Sequence, residues 1–304
     1  KERMMELCER VGIDVLISGS DPELIPIAEM ASDLAARGTA AIVGSPASIR
    51  LCRDKLALSQ HMIERGIPFV RTWSLEEARS QAADLPYPLI VKERSGSGSV
   101  GAQVLSGPQD WERVHCAGAW IAQPYLLSAS WYQEQRGVQP YLERLQRTGR
   151  PVQQDEISSQ VLVSPQGELV SRFISINRLK DGVPMQVDPV DDGQVWPDVH
   201  RLVNALIEEG LRGPCNIQGR WTPEGMLFFE VNPRFTGITH VRALMGYNEV
   251  EAAVRMFALG ESPLEACRCL VRRTDVVGLR QMSEIVVPRE RLERLARERH
   301  LTQA

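Results

Sequence analysis

Positive charge, paired cysteines and long apolar runs are all scarce in this chain of 304 residues. Lys and Arg number 35 against 39 Asp and Glu, a formal net charge of −4. Nucleic acids and anionic membranes both call for a basic surface, so neither is expected as a partner. No apolar run is long enough to span a bilayer and no signal peptide is visible. The chain opens at Lys1 rather than Met, which leaves a removed or missing leader open. The six cysteines, at 8, 52, 116, 215, 267 and 269, lack the paired spacings of a zinc site or a small disulfide framework. Cys267 and Cys269 stand too close for an ordinary disulfide, so reduced thiols in a cytoplasmic protein are expected. Also missing are an internal repeat, a low-complexity tract, an evident Ser or Cys nucleophile, and the glycine spacing of a P-loop or dinucleotide fingerprint. What is there is a globular chain, 43% hydrophobic, long enough for two or three packed units.

Residues 1–50 alternate helix, strand, helix, strand, with strands expected at Ile13–Ile17 and Ala41–Val43. This is βαβ material with too few strands for a three-layer unit, so an upstream βα portion is expected to be absent from this chain. Ser18 to Glu23 follows the first strand, where open α/β sheets tend to bind ligands. An ordinary helix cap, with Asp21 before Pro22, is the favoured reading. A helix is predicted over Asp54–Arg65, stopped by Gly66 and Pro68. Strands are predicted at Pro88–Lys92 and Ala102–Leu105. Between them lies Ser95-Gly96-Ser97-Gly98-Ser99-Val100-Gly101, either a flexible surface turn or a tip that folds over phosphates through backbone N–H groups and hydroxyls. Ala119–Leu126 reads as a strand running into an extended segment. From Leu127 to Asp155 the pattern breaks down, and an irregular insertion or mobile loop is expected. Glu156–Ser164 and Glu168–Ile176 read as a hairpin about Pro165-Gln166-Gly167, and helices are expected at Pro197–Glu209 and Glu249–Leu259.

The richest signal is a second hairpin. Asn216 to Trp221 alternates polar and apolar, Thr222-Pro223-Glu224-Gly225 turns, and Met226 to Asn232 alternates back. A three-residue loop, Pro223-Glu224-Gly225, pairs residue 218 with 230 and 216 with 232. Asn216, Gln218, Glu230 and Asn232 then share one face, while Ile217, Trp221, Leu227, Phe229 and Val231 point into the core. A polar face on an antiparallel sheet often just meets water. One carboxylate beside three neutral oxygen donors also suits a hard divalent cation with positions left for phosphate oxygens. Arg234, just past Pro233, brings a guanidinium shaped to clamp phosphate.

With these pieces in this order, the chain resembles the ATP-grasp superfamily, most nearly the branch of the carbamoyl-phosphate synthase large subunit. The likeness covers most of residues 10–260. It rests on Asp54-Lys55 opening a helix, Lys92 ahead of Ser95–Gly101, Gln123-Pro124-Tyr125, Gln218, and Glu230-Val231-Asn232-Pro233-Arg234. It implies a mixed α/β and α+β fold: a truncated Rossmann-like domain at 1–50, a small subdomain with a glycine-rich lid at 51–126, an insertion at 127–155, a large subdomain with the metal site at 156–285, and a C-terminal helix or tail at 286–304. It implies ATP and two Mg2+ ions, with Mn2+ as a substitute. Lys55 and Lys92 would meet the phosphates, and Ser95, Gly96, Ser97, Gly98, Ser99 and Gly101 would cover them. Gln123, Tyr125 and Leu126 match the hinge at the adenine edge, and Glu156 is the candidate for the ribose. Gln218, Glu230 and Asn232 match the metal ligands. Arg234 and Lys92 match catalytic positions, Arg234 steadying the phosphoryl group in transfer.

After Arg234 the synthase-like serine-rich run is replaced by Phe235 to Arg242, so bicarbonate chemistry is not implied. Gly237, Thr239, His240 and Arg242 are candidates for an acceptor pocket, with Arg242 on a substrate carboxylate, although capping and packing would explain that segment equally well. The expected activity is ligation of a small-molecule carboxylate, such as an amino acid, to an amine through an acylphosphate. Half of a split carbamoyl-phosphate-type synthase, or a nucleotide-binding module without turnover, are the alternatives. The resemblance also makes a homodimer plausible.

Overall fold

The computed structural model describes residues 1–96, 98, 101–135, 137–190, 193–281 and 286–298. The N-terminal unit pairs two short parallel strands, β1 (Val15–Leu16) and β2 (Ala40–Ala41), joined by the helix Asp21–Ala36. That helix begins with a capping box: Ser20 and Glu23 satisfy each other's backbone N–H groups, so the cap reading of Ser18–Glu23 holds. Leu24 and Ile27 on the helix bury against Val43 and Ile49.

A four-stranded antiparallel sheet follows, made of β3 (Trp73–Ser74), β4 (Leu89–Glu93), β5 (Gln103–Leu105) and β6 (Trp120–Pro124), in the spatial order β3-β6-β4-β5. Its core gathers Trp73, Leu89, Val91, Leu105 and Trp111. The larger sheet holds β7 (Glu156–Val163), β8 (Leu169–Lys180), β9 (Val183–Pro189), β10 (Gly213–Thr222), β11 (Gly225–Asn232) and β12 (Gly278–Leu279). Its spatial order is β11-β10-β7-β8-β9-β12, with every neighbour antiparallel.

One face of the large sheet buries the main core. Val161, Val163, Ile217 and Phe228 meet Val199, Leu202 and Leu206 of the helix Trp196–Glu208, and Leu58 and Met62 of the helix Lys55–Glu64. The latter helix thus packs on the large sheet although it precedes the small one in sequence. Its N-terminus stays beside the small sheet, because Asp54 caps it and is gripped by Arg94 just past β4.

The stretch expected to be irregular, 127–155, contains two helices, Ala129–Gln135 and Gln139–Thr148. Tyr141 and Leu145, one turn apart, bury against Leu127, Tyr125 and Trp131. Few apolar residues anchor these helices and their outer faces are Gln, Glu and Arg, so composition hid the period. Among the described residues no helix is long and apolar enough to cross a membrane.

Candidate active site

The β10–β11 hairpin pairs Asn216 with Asn232 and Gln218 with Glu230, as the alternation implied, but by another route. The tip is two residues, Pro223-Glu224, closed by the pair Thr222–Gly225 with Gly225 at φ 119°. The residue removed from the loop reappears as a bulge, since Gln218 pairs with Glu230 and Gly219 with Phe228. Phe229 is the extra residue. Side-chain parity therefore reverses beyond it: Met226 and Phe228 enter the core, whereas Phe229, expected there, is partly buried at the core's edge and lines the cleft. Leu227 and Trp221, also expected in the core, are only partly buried. The outer edge of β11 is covered by Pro68–Val70, which exchanges backbone hydrogen bonds with Phe228.

The polar face opens onto a cleft of about 370 Å3 between the two sheets. Across it, Lys92 of β4 places its Nζ 3.3 Å from Oε2 of Glu230. Asn232 donates to Gln218 Oε1 at 3.2 Å, and Gln218 donates to Glu156 Oε1 at 2.8 Å. Asn216, the deepest of the four, donates to Ser158 at 2.8 Å. Glu156 and Ser158 stand on β7 beside Gln218, extending the polar face by one strand.

Lys55 is buried and donates to the carbonyl of Gly96 at 2.5 Å. Gly96 and Gly98 line the cleft, and Gly101 packs against Trp120. Ser97 and Ser99 lie outside the described residues. Arg53 donates to the Ser95 carbonyl at the root of the loop. Gln123, Tyr125 and Leu126 all line the cleft. The Gln123 side chain is occupied by Thr72 and the Tyr125 hydroxyl by the Val152 carbonyl, so this segment offers the cleft mainly backbone and ring surface.

The segment after Arg234 divides. Thr236 and Gly237 line the cleft. Arg242, expected at a substrate carboxylate, does not reach it: the side chain is wholly buried and bonded to Glu249, which also accepts from Thr239. His240 is exposed and stands away from the cleft lining. The sequence did not flag Arg220, Asn177, Arg280 or Phe229, which line the cleft, or Asp21, which grips Arg234. Arg220 was within reach, because it follows Gln218 by two along β10 and so shares its face.

No protein-family model and no curated protein sequence matches the chain. Solved structures do. The biotin carboxylase domain of the Hydrogenobacter thermophilus 2-oxoglutarate carboxylase, in complex with MgADP, ADP and bicarbonate, superposes with TM-score 0.64 at 19% identity, over 86% of this chain and 56% of that one. A Campylobacter jejuni biotin carboxylase, in a β-γ-ATP complex, gives TM-score 0.64 at 16% identity over 91% of this chain and 59% of that one. An L-amino acid ligase from Bacillus licheniformis gives 0.58 at 13% over 83% and 58%. The fold is the ATP-grasp fold. The chain spans a little over half the length of these structures.

Within this ATP-grasp cleft the two carboxylates differ. Burial pushes Glu230 up, but Lys92 and Lys55 together outweigh it and hold the group below the ordinary carboxylate range, so it is charged at neutral pH. Burial raises Glu156 to about 7, against the pull of Arg220 and of the hydrogen bond from Gln218. Burial also lowers Lys55, with Glu230 opposing. Among the described residues no three His, Cys, Asp or Glu form a metal-ligand group. The donors gathered here are instead two carboxylates and the carboxamides of Gln218, Asn232 and Asn216, all hard oxygens of the kind Mg2+ prefers.

Proposed function

We propose that the protein is an ATP-dependent ligase that activates a small-molecule carboxylate, such as that of an amino acid, as an acylphosphate and joins it to an amine, with release of ADP and phosphate. The observation that carries this reading is the convergence on one cleft of an ionised Glu230, two lysines from the opposite side and an arginine at the end of β11. The nucleotide-bound states of the solved neighbours support it, and the amino acid ligase supports the acceptor class.

In this reading Tyr125 and Leu126 border the adenine, Glu156 the ribose, and Lys55, Lys92 and the glycine loop the phosphates. Glu230, Asn232 and Gln218 would hold Mg2+, which when bound neutralises triphosphate charge and orients its oxygens. An oxygen of the acceptor carboxylate attacks the γ-phosphorus, the bond to ADP breaks, and Lys92 and Arg234 balance the charge in transfer. The amine then attacks the acyl carbon. The C–O bond to phosphate breaks, and the departing phosphate takes the amine proton. Positioning and electrostatics suffice for both steps, so no side-chain nucleophile is needed.

A pairwise screen of amino acids with MgATP, monitored by phosphate release, tests the proposal. Glu230→Ala is expected to lower turnover at least 100-fold while leaving the circular dichroism spectrum intact. Turnover unaffected by that substitution would refute it.

A further inference from the structure

Arg234 does not stand alone at the end of β11. Its Nε and Nη2 donate to the two carboxylate oxygens of Asp21 at 2.9 and 2.7 Å, a bidentate pair between positions 213 apart in sequence. Nη1 donates to the Phe235 carbonyl and Nη2 also to Asn232 Oδ1. A guanidinium has five N–H groups, and four hydrogen bonds are already made here among the described residues. Arg234 is thus held edge-on, with one Nη1 hydrogen left for the cleft. It cannot offer a two-point clamp while Asp21 keeps its place.

Asp21 belongs to the N-terminal unit, where the first turn of the helix Asp21–Ala36 favours an anion. Its side chain is 8% exposed, and Arg53 approaches Oδ1 at 3.1 Å. Arg53 in turn donates to the Ser95 carbonyl at the root of the glycine loop. One buried carboxylate therefore joins the arginine of the metal strand to the residue that fixes the loop.

We propose that Asp21 is a positioning residue for phosphoryl transfer, fixing the plane of Arg234 so that a single N–H faces the transferred group, and tying that plane through Arg53 to the glycine loop. The inference rests on the ligase reading above. Its electrostatic signature has an unusual sign. Asp21 sits among Arg234, Arg53 and Lys55, so removing its charge makes the cleft more positive and favours a triphosphate in the ground state, while releasing Arg234 from its transfer geometry. A residue that merely stabilised the fold would weaken binding and turnover together.

Asp21→Asn should therefore lower kcat for ADP release at least 30-fold, while the Kd for MgATP measured by calorimetry stays equal to wild type or falls. Asp21→Glu should recover part of the lost kcat. A kcat within threefold of wild type overturns the proposal, as does a Kd weakened tenfold in step with a lowered Tm. Wild type that binds no MgATP would instead bring down the ligase reading, and this proposal with it.

Discussion

Lys92 and Glu230 meet at 3.3 Å although one belongs to the small sheet and the other to the large one. Their side chains are 12% and 19% exposed, so the pair is largely desolvated. Lys92 is the principal countercharge of Glu230, and Lys55 adds to it. The cleft is therefore assembled from both sheets, and neither owns a balanced site.

Gly219 is the position at which that assembly is most easily upset. A Cβ there would lie 2.7 Å from the Leu227 carbonyl and 2.9 Å from the Phe228 ring, at the bulge itself. The backbone oxygen cannot swing aside as a side chain would. Gly219→Ala is expected to cost about 1–3 kcal/mol, the usual range for overpacking. It should also weaken MgATP binding, because relief of the clash shifts Gln218 against Glu230. Urea midpoints and calorimetry check this, and binding unchanged at reduced stability would contradict the coupling.

Asp54 makes acid stability a readout of the contact between the helix Lys55–Glu64 and the end of β4. Burial pushes its carboxyl up, but the Arg94 guanidinium and the N–H groups of Ala57 and Leu56 prevail and hold it below the ordinary range. A group lowered on folding contributes above its unfolded pKa, near 3.9, and loses that contribution as the pH falls through the folded value. Asp54→Ala should cost about 1–2 kcal/mol at pH 7, the scale of a lost N-cap. The gap to wild type should shrink as the pH falls below about 4. Urea midpoints at pH 7 and pH 3 decide it; equal gaps at both would count against the ion pair.

Arg242 and Glu249 form a wholly buried pair in which Arg242 Nη1 and Glu249 Oε2 have no hydrogen-bond partner among the described residues. Such a pair adds little net stability yet is costly to break from one side. Arg242→Met alone should destabilise by about 3–5 kcal/mol. The double change Arg242→Met with Glu249→Leu should recover most of that loss. Thermal unfolding of the three proteins tests this, and a double variant as unstable as the single one would overturn it.

The legible part of the sequence was its local periodicity. Strands β4 to β8, β10 and β11 read directly from the local apolar pattern, and so did the pairs 216–232 and 218–230, whereas β9 went unflagged. The register came out right because two deviations cancelled: the tip lost a residue that the bulge regained. The bulge itself left no mark, so Phe228 and Phe229 exchanged their expected places. The helices of 129–148 were hidden by an outward polar surface over a few buried anchors. Asp21 was legible only as a cap, since nothing local tells a residue in the first turn of one helix that its partner lies on a strand far along the chain. Arg242 looked like a binding group for the opposite reason, because an arginine's burial is decided by a distant glutamate rather than by its neighbours.

The bulge also sets where this hairpin tolerates change. Its surplus residue sits within the strand, between core-anchored Phe228 and the polar pairs, while Pro223 and Glu224 protrude at the far end. Length variation at the tip is insulated from the chemistry by four intervening rungs from Thr222–Gly225 to Gly219–Phe228. Deleting Phe229 would remove the bulge yet leave Glu230 opposite Gln218 on the same side of the ribbon, whereas deleting Phe228 or Leu227 would draw the surplus residue into the ladder.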